Sequence, residues 1–362
     1  MDSTITLHEL LLIKPEHPVP HPGNICNLTY PSVNGSVAVD VVTDAYGYAK
    51  FTVHAPANEV DRSIDSAERA LARMASPNPQ KALNTAQARV AMGAQVFDQN
   101  RDLLVRQRLL SLAVVRTGIQ PFLQTEYIAG ENPRKGKDFT FEASVMLRPY
   151  GELKDYGPVE VAFPPKPQVD EAQVDEKLAQ MMGASIRWQD VPEDAAQGLE
   201  KLKAPLRAQL ENELENKWYS DLMTLCADEM SKRLVAEPPI RFIEALRDEM
   251  ASQYATAVES SGQSWNDYIK TPGFDLQVFK EQMTSEALVS LKRGLALDAV
   301  ARHEGIALTE EDVIECLTNV ARGHEQEAAQ AMIDNGQLPQ LLETALRAKT
   351  GDFIASQAKD IK

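Results

Sequence analysis

Two short runs begin like the metal-binding helix of a zinc hydrolase. His303-Glu304 and His324-Glu325 each set a histidine beside an acid. Hydrolysis on such a helix needs a second histidine four residues on, to share the metal while the glutamate acts as base. Ala307 and Ala328 occupy those positions, so neither run is expected to hold a metal. His17, His21 and Cys26 bring nitrogen and sulfur donors together in a stretch that also holds Pro18, Pro20 and Pro22. They could bind a soft metal, but no fourth ligand stands near, and a flexible segment that carries histidines is the simpler reading. The many acids of the second half are expected to form solvated helix faces, as Glu213 and Lys217 do at i,i+4 spacing. No G-x-x-x-x-G-K, G-x-G-x-x-G or G-x-S-x-G pattern occurs, so phosphate cradles and a serine nucleophile elbow are not expected. The chemistry points to no catalytic residue, no metal and no cofactor.

Charge and cysteine content narrow the class further. The net charge is −16, and residues 151–362 carry all of it. Such an acidic half is unsuited to a phosphate backbone, so no specific nucleic-acid partner is expected. Aromatics make up 6% of the chain, too few for extended base-stacking platforms. Cys26, Cys226 and Cys316 are odd in number and form no C-x-x-C, which suits a reducing compartment. The N-terminus lacks a basic, apolar signal pattern, and no stretch is long enough to span a bilayer. A cytoplasmic protein with no membrane partner is expected.

The elements that must position any site read as α+β. Residues 1–36 are expected to be an extended, proline-rich lead segment. Val37, Val39 and Val41, then Ala49, Phe51 and Val53, alternate on either side of a Thr43–Gly47 turn, which predicts a hairpin. Val60, Ile64, Ala67 and Leu71 share one helical face. A helix is expected over about 84–117, stopped by Gly118, and a strand over 139–147. These elements form an N-terminal α+β domain, 37–150. An extended linker follows over 151–168, held straight by Pro158, Pro164, Pro165 and Pro167. From 169 to 362 a mostly α-helical domain is expected. Thr309 reads as an N-cap ahead of Glu310, Glu311 and Asp312, and Pro339 suits an early helical position.

Several motifs, in a shared order, resemble the bacterial trigger factors. Gly136-Lys137-Asp138-Phe139-Thr140-Phe141 is similar to the family's G-x-D-F-x-F strand. Gly151 to Tyr156, Val159-Glu160-Val161 and Val169 to Asp175 resemble its linker and the start of its first helical segment. Glu237-Pro238-Pro239 resembles the I-x-V-P turn, and Glu304 to Val313 the E-x-I-x-V-T-x-E-E-V run. The resemblance covers roughly 37–355. It implies a ribosome-binding-like domain followed by a helical chaperone domain with arms, and an ATP-independent holdase for unfolded or nascent polypeptides.

Two departures shape that expectation. The family carries an FKBP-like isomerase domain after its first helical segment. Here Trp188-Gln189-Asp190-Val191-Pro192 runs almost directly into Leu199 and Leu206, so that domain is expected to be absent and the chain not to be an enzyme. The family's basic docking loop, G-F-R-x-G-K-x-P, corresponds to Ala75 to Ala82, where only Pro77, Pro79 and Lys81 remain as a degenerate version. Ribosome docking is therefore expected to be weakened. Client-lining residues implied by the resemblance are Met181, Met182, Ile186, Trp188, Phe242, Met250, Tyr254, Phe279 and Met283. Methionine suits promiscuous contact, though at helical spacing these side chains equally serve as core. A prolyl isomerase is the second reading, since the family implies one. A helical scaffold for one partner, or for self-association as a homodimer, is the third.

Overall fold

The computed structural model describes Leu7, Leu11 and residues 17–33, 35–77, 81–123, 125–181, 193–318 and 321–361, with backbone alone for 193–200. The chain divides into two compact units, each built from two stretches. Met1–Lys154 joins Leu234–Thr350, and Asp155–Arg233 joins Gly351–Lys362.

The first unit is α+β. Its sheet starts with β1 (Asn27–Tyr30), β2 (Ala38–Thr43) and β3 (Tyr48–Ala55). Val39, Val41, Ala49, Phe51 and Val53 are buried on one face, as the alternation predicts. The turn is tied by Asp44, whose Oδ1 accepts from the Tyr46 and Tyr48 amides at 2.9 and 2.8 Å. Gly47 takes φ 80° there, a conformation that favours glycine. Strand β1 corrects the expectation that 1–36 lacks regular structure. Asn27–Tyr30 pairs antiparallel with β2, and the Tyr30 side chain is fully buried. An edge strand takes its hydrogen bonds from a distant partner, so proline-rich flanks hide it from local reading.

Helix α1 (Ala57–Met74) buries Val60, Ile64, Ala67 and Leu71. The helix expected over 84–117 is two: α2 (Thr85–Met92) and α3 (Ala94–Thr117). Gly93, at φ 83° and ψ 134°, breaks it. Asn84 and Gln87 form a reciprocal capping box at the start of α2, and Gly118 closes α3 at φ 70°. Strands β4 (Glu126–Tyr127) and β5 (Phe139–Met146) complete the order β1-β2-β3-β5-β4, with β5 antiparallel to β3.

The chain then leaves for α4 (Glu171–Met181) and α5 (Glu193–Ser231). It returns as α6 (Ile240–Ser260), α7 (Trp265–Tyr268), α8 (Leu276–Glu304), α9 (Glu310–Glu315), α10 (Glu325–Asp334) and α11 (Leu338–Gln357). Thr309 caps α9 as expected, its hydroxyl accepting from the Asp312 amide. Val313, Leu317, Ile333, Leu338 and Leu341 join Val41, Phe51, Leu109 and Phe141 in one apolar core. Helices from the segment expected to form a separate domain thus complete the core beneath the N-terminal sheet. Four charged side chains fasten this unit. Arg148 clasps Glu343 with both terminal nitrogens, at 2.7 and 2.5 Å, while Arg347 holds Asp298 at 3.0 and 2.8 Å.

In the second unit α4 packs along α5, burying Val174, Leu178 and Leu206. Lys203 pairs with Asp175 at 3.0 Å. The extended linker is seated on α5 here: the Trp218 indole donates to the Pro164 carbonyl at 2.8 Å, and Lys166 lies over the same ring. Strand β6 (Glu160–Val161) pairs in parallel with β7 (Lys359–Asp360).

Candidate functional site

Helices α6 and α8 form a hairpin. Pro238 and Pro239 precede α6, and proline is well tolerated at a helix start. Asp275 caps α8 by accepting from the amides of Gln277 and Val278 at 2.8 and 3.2 Å. Gly305, at φ 65°, ends it. Near the base Phe242 is 1% exposed and meets Phe122 edge to face at 5.3 Å. Arg241 lies over the Phe242 ring and donates to the Tyr46 carbonyl. Met283, Ala287, Leu291 and Leu295 form the buried stripe of α8.

At the other end five aromatics converge. Tyr254 meets Phe279 at 5.3 Å, and Trp265 stacks on Tyr268 at 5.6 Å and 19°. Phe274 stands against Trp265, Tyr268 and Phe279 at 6.2, 5.4 and 5.6 Å. The hydroxyls of Tyr254 and Tyr268 share a hydrogen bond of 2.7 Å. That bond first, and burial second, holds the Tyr254 phenol above its ordinary range. The cluster is open: Tyr254 is exposed, the other four rings are half-buried, and Leu276 and Val278 beside them face solvent. Residues 240–286 carry eight acids and four bases, so the apolar end sits on an acidic stem.

This arrangement offers ring faces and aliphatic edges without a nucleophile or an acid/base pair. Aromatic faces accept apolar side chains and, through their quadrupole, the cations of lysine and arginine. Among the described residues no group of three or more His, Cys, Asp and Glu is placed to hold a metal ion. His17 packs on Tyr30, His21 packs on Tyr150, and Cys26 contacts the Thr43 hydroxyl at 3.2 Å. No described helix is long and apolar enough to cross a membrane.

The residues expected to line a client surface do not all meet. Tyr254 and Phe279 stand in the aromatic cluster, with half-buried Met250 one turn before Tyr254. Phe242 and Met283 are buried, at 1% and 7% exposure, and do not face solvent. Phe242 is covered by Phe122 and Arg241, and Met283 belongs to the buried stripe of α8. Met181 is exposed at the end of α4, in the second unit. Met182, Ile186 and Trp188 lie outside the described residues. Trp265, Tyr268 and Phe274 were missed. Their signal was density: five aromatics fall between 254 and 279 in a chain that is 6% aromatic. In the degenerate docking loop Pro77 and Lys81 are exposed, and Ser76 Oγ donates to the Lys81 carbonyl at 2.7 Å. Pro79 lies outside the described residues.

Two family models match, the bacterial trigger factor protein over residues 85–181 and its C-terminus over 198–356. The chain belongs to the trigger factor family. A trigger factor of Halothermothrix orenii is 26% identical over 226 residues, 59% of this chain and 52% of that protein. One from Pelotomaculum thermopropionicum is 31% identical over 165 residues, 44% and 37% of the two. The chain thus spans about half the length, or less, of the trigger factors it matches. A solved structure from work on "Promiscuous Substrate Recognition in Folding and Assembly Activities of the Trigger Factor Chaperone" covers 88% of this chain and 99% of its own. It does so at 12% identity and a TM-score of 0.37, too loose a likeness to carry an argument. The trigger factor C-terminal match contains the whole α6–α8 hairpin, whereas the loop after α1 lies outside both matches.

Proposed function

We propose that this trigger factor relative is an ATP-independent holdase that captures unfolded or nascent polypeptides on the aromatic end of the α6–α8 hairpin. The carrying observation is the open cluster of Tyr254, Trp265, Tyr268, Phe274 and Phe279. An apolar patch of large rings on a charged stem marks an interaction surface. Its non-directional contacts suit many sequences. Each client gains about 25 cal/mol per Å² of apolar area buried and loses part of that in ordering its chain. Affinities should be micromolar in order of magnitude, with fast release. The acidic stem favours neutral and basic clients.

Three further features belong to the same reading. Residues 182–197 are all that separates the two family matches, which supports a chain without an isomerase domain and so without that enzymatic activity. The loop after α1 keeps one lysine, Lys81, as its described cation between Ala75 and Asn84, which supports weakened ribosome docking. The cytoplasm is the compartment that suits three free thiols. The test is light scattering of a denatured protein diluted into buffer with the full chain. Suppression that is unchanged by ATP supports the reading, and unimpeded aggregation overturns it. A single stoichiometric partner in pull-downs, or concentration-dependent self-association, would favour the scaffold alternative.

A further inference from the structure

A second feature of the first unit shares no residue with the aromatic cluster. A cavity of about 480 Å³ opens between the lead segment, the turn after α3, the end of β5 and the last turns of α8. Its floor is apolar: Ile119 and Leu147 are buried there, with Leu346 beside them. Val19, His21, Tyr150 and Arg302 stand around it.

The charges at this cavity do not cancel. Arg148, Arg347, Asp298 and Glu343 neutralise one another in the network that fastens the unit. Arg302 is left over. Its Nη2 donates to the Gly151 carbonyl at 2.6 Å, and its guanidinium lies 4.2 Å from the Tyr150 ring centroid. No described carboxylate stands within ion-pair distance of it. Tyr150 also carries the His21 ring, at 4.1 Å. Burial first, and the Arg302 charge second, push the His21 imidazole below its ordinary range. A second donor is unmet: Arg148 Nε is buried without a hydrogen-bond partner, and a buried unpaired donor is costly. The cavity therefore offers an apolar floor, a cation at its edge with no ion-pair contact among the described residues, and a spare donor in its wall. An apolar pocket with a few convergent polar groups is the usual form of a small-ligand site.

We propose that this cavity binds a carboxylate carried on an apolar body, with the acid group on Arg302 and the body over Ile119 and Leu147. The same chemistry is presented by a free medium-chain acid and by the last residue of a polypeptide that ends in an apolar side chain.

The test is calorimetric titration of the full chain with octanoate and with N-acetyl-phenylalanine, each against its neutral counterpart, octanol and the amide. Saturable binding of at least one carboxylate is expected, with a dissociation constant on the order of 0.1–1 mM. The neutral counterpart should bind roughly tenfold more weakly, the loss of one charge-assisted hydrogen bond. Arg302→Gln should abolish the preference for the acid while the variant, folded by circular dichroism, still binds the neutral probe. Val19→Trp should weaken acid and neutral probes alike by filling the mouth. Tighter binding of octanoate assigns the site to free acids, and tighter binding of N-acetyl-phenylalanine assigns it to chain termini. No saturable binding of either carboxylate up to about 10 mM, or an acid preference that survives Arg302→Gln, overturns the proposal.

Discussion

Tyr254 on α6 and Phe279 on α8 face each other with ring centroids 5.3 Å apart. The contact joins the two helices where the intervening loop begins, and it gives Trp265, Tyr268 and Phe274 a surface to assemble on. Aromatic pairs of this kind add about 0.5–1.5 kcal/mol each beyond the area they bury. The end of the hairpin is thus an ordered platform, and its rings keep solvent-facing area because no further layer of the described chain covers them.

The first prediction concerns catalysis. With residues 182–197 alone between the two family matches, prolyl isomerisation of a test peptide should stay at background in a protease-coupled assay. A rate enhancement that an FKBP-type inhibitor removes would contradict this.

The second concerns docking. Lys81 is exposed in the loop after α1, without a second described cation between Ala75 and Asn84. Sedimentation with ribosomes at physiological salt should recover little of the chain, and Lys81→Glu should change that little. Strong co-sedimentation abolished by Lys81→Glu would show that one cation suffices.

The third concerns pH. Burial raises the Asp298 carboxyl, but the hydrogen bond to Arg347 and the charges of Arg347, Arg148 and Arg302 outweigh it and hold it below 3.8. A depressed folded value stabilises the fold above the unfolded value and is lost as pH falls through the folded one. Asp298→Asn should therefore cost about 2 kcal/mol at neutral pH, because Arg347 loses its charge-assisted hydrogen bonds to Asp298 and keeps only Glu343. In urea melts the gap between parent and variant should shrink below about pH 4. A gap independent of pH would detach Asp298 from the acid sensitivity.

The hairpin β2–β3, the buried face of α1, the N-cap at Thr309 and the stop at Gly118 were all legible, because each rests on neighbours within a few residues. What escaped depended on distance along the chain. Strand β1 exists because β2 offers it a partner, and nothing in Asn27–Tyr30 announces that. The split at Gly93 was hidden by apolar positions that continue on both sides of it. The helices that supply Val313, Ile333 and Leu341 were read correctly as helices, yet their place in the core with Phe51 and Phe141 is a matter of long-range packing. At the hairpin the apolar spacing was visible in Phe242, Met250, Tyr254, Phe279 and Met283. Which of these pack and which face water depends on the partner helix.

The fourth prediction uses two glycines in different surroundings. Gly93 and Gly336 both have positive φ, 83° and 73°. A Cβ on Gly93 would meet nothing within 4 Å, whereas one on Gly336 would fall 2.6 Å from the Gln107 carbonyl carbon. Gly93→Ala should cost about 1–3 kcal/mol of backbone strain, and Gly336→Ala more, since there a neighbouring backbone must move as well. Equal urea midpoints for the two variants would rule out the close approach at Gly336.

Client capture is proposed to rest on the aromatic end of the hairpin. Trp265 and Phe274 belong to the cluster but lie off the two long helices, so Trp265→Ser with Phe274→Ser should leave the helical content intact. The deciding measurement is light scattering of a chemically denatured protein diluted into a few-fold excess of parent or double variant, with circular dichroism of both as the control. The parent should suppress most of the scattering, and the variant, equally helical, should lose at least half of that suppression. A variant that suppresses aggregation as fully as the parent would contradict it.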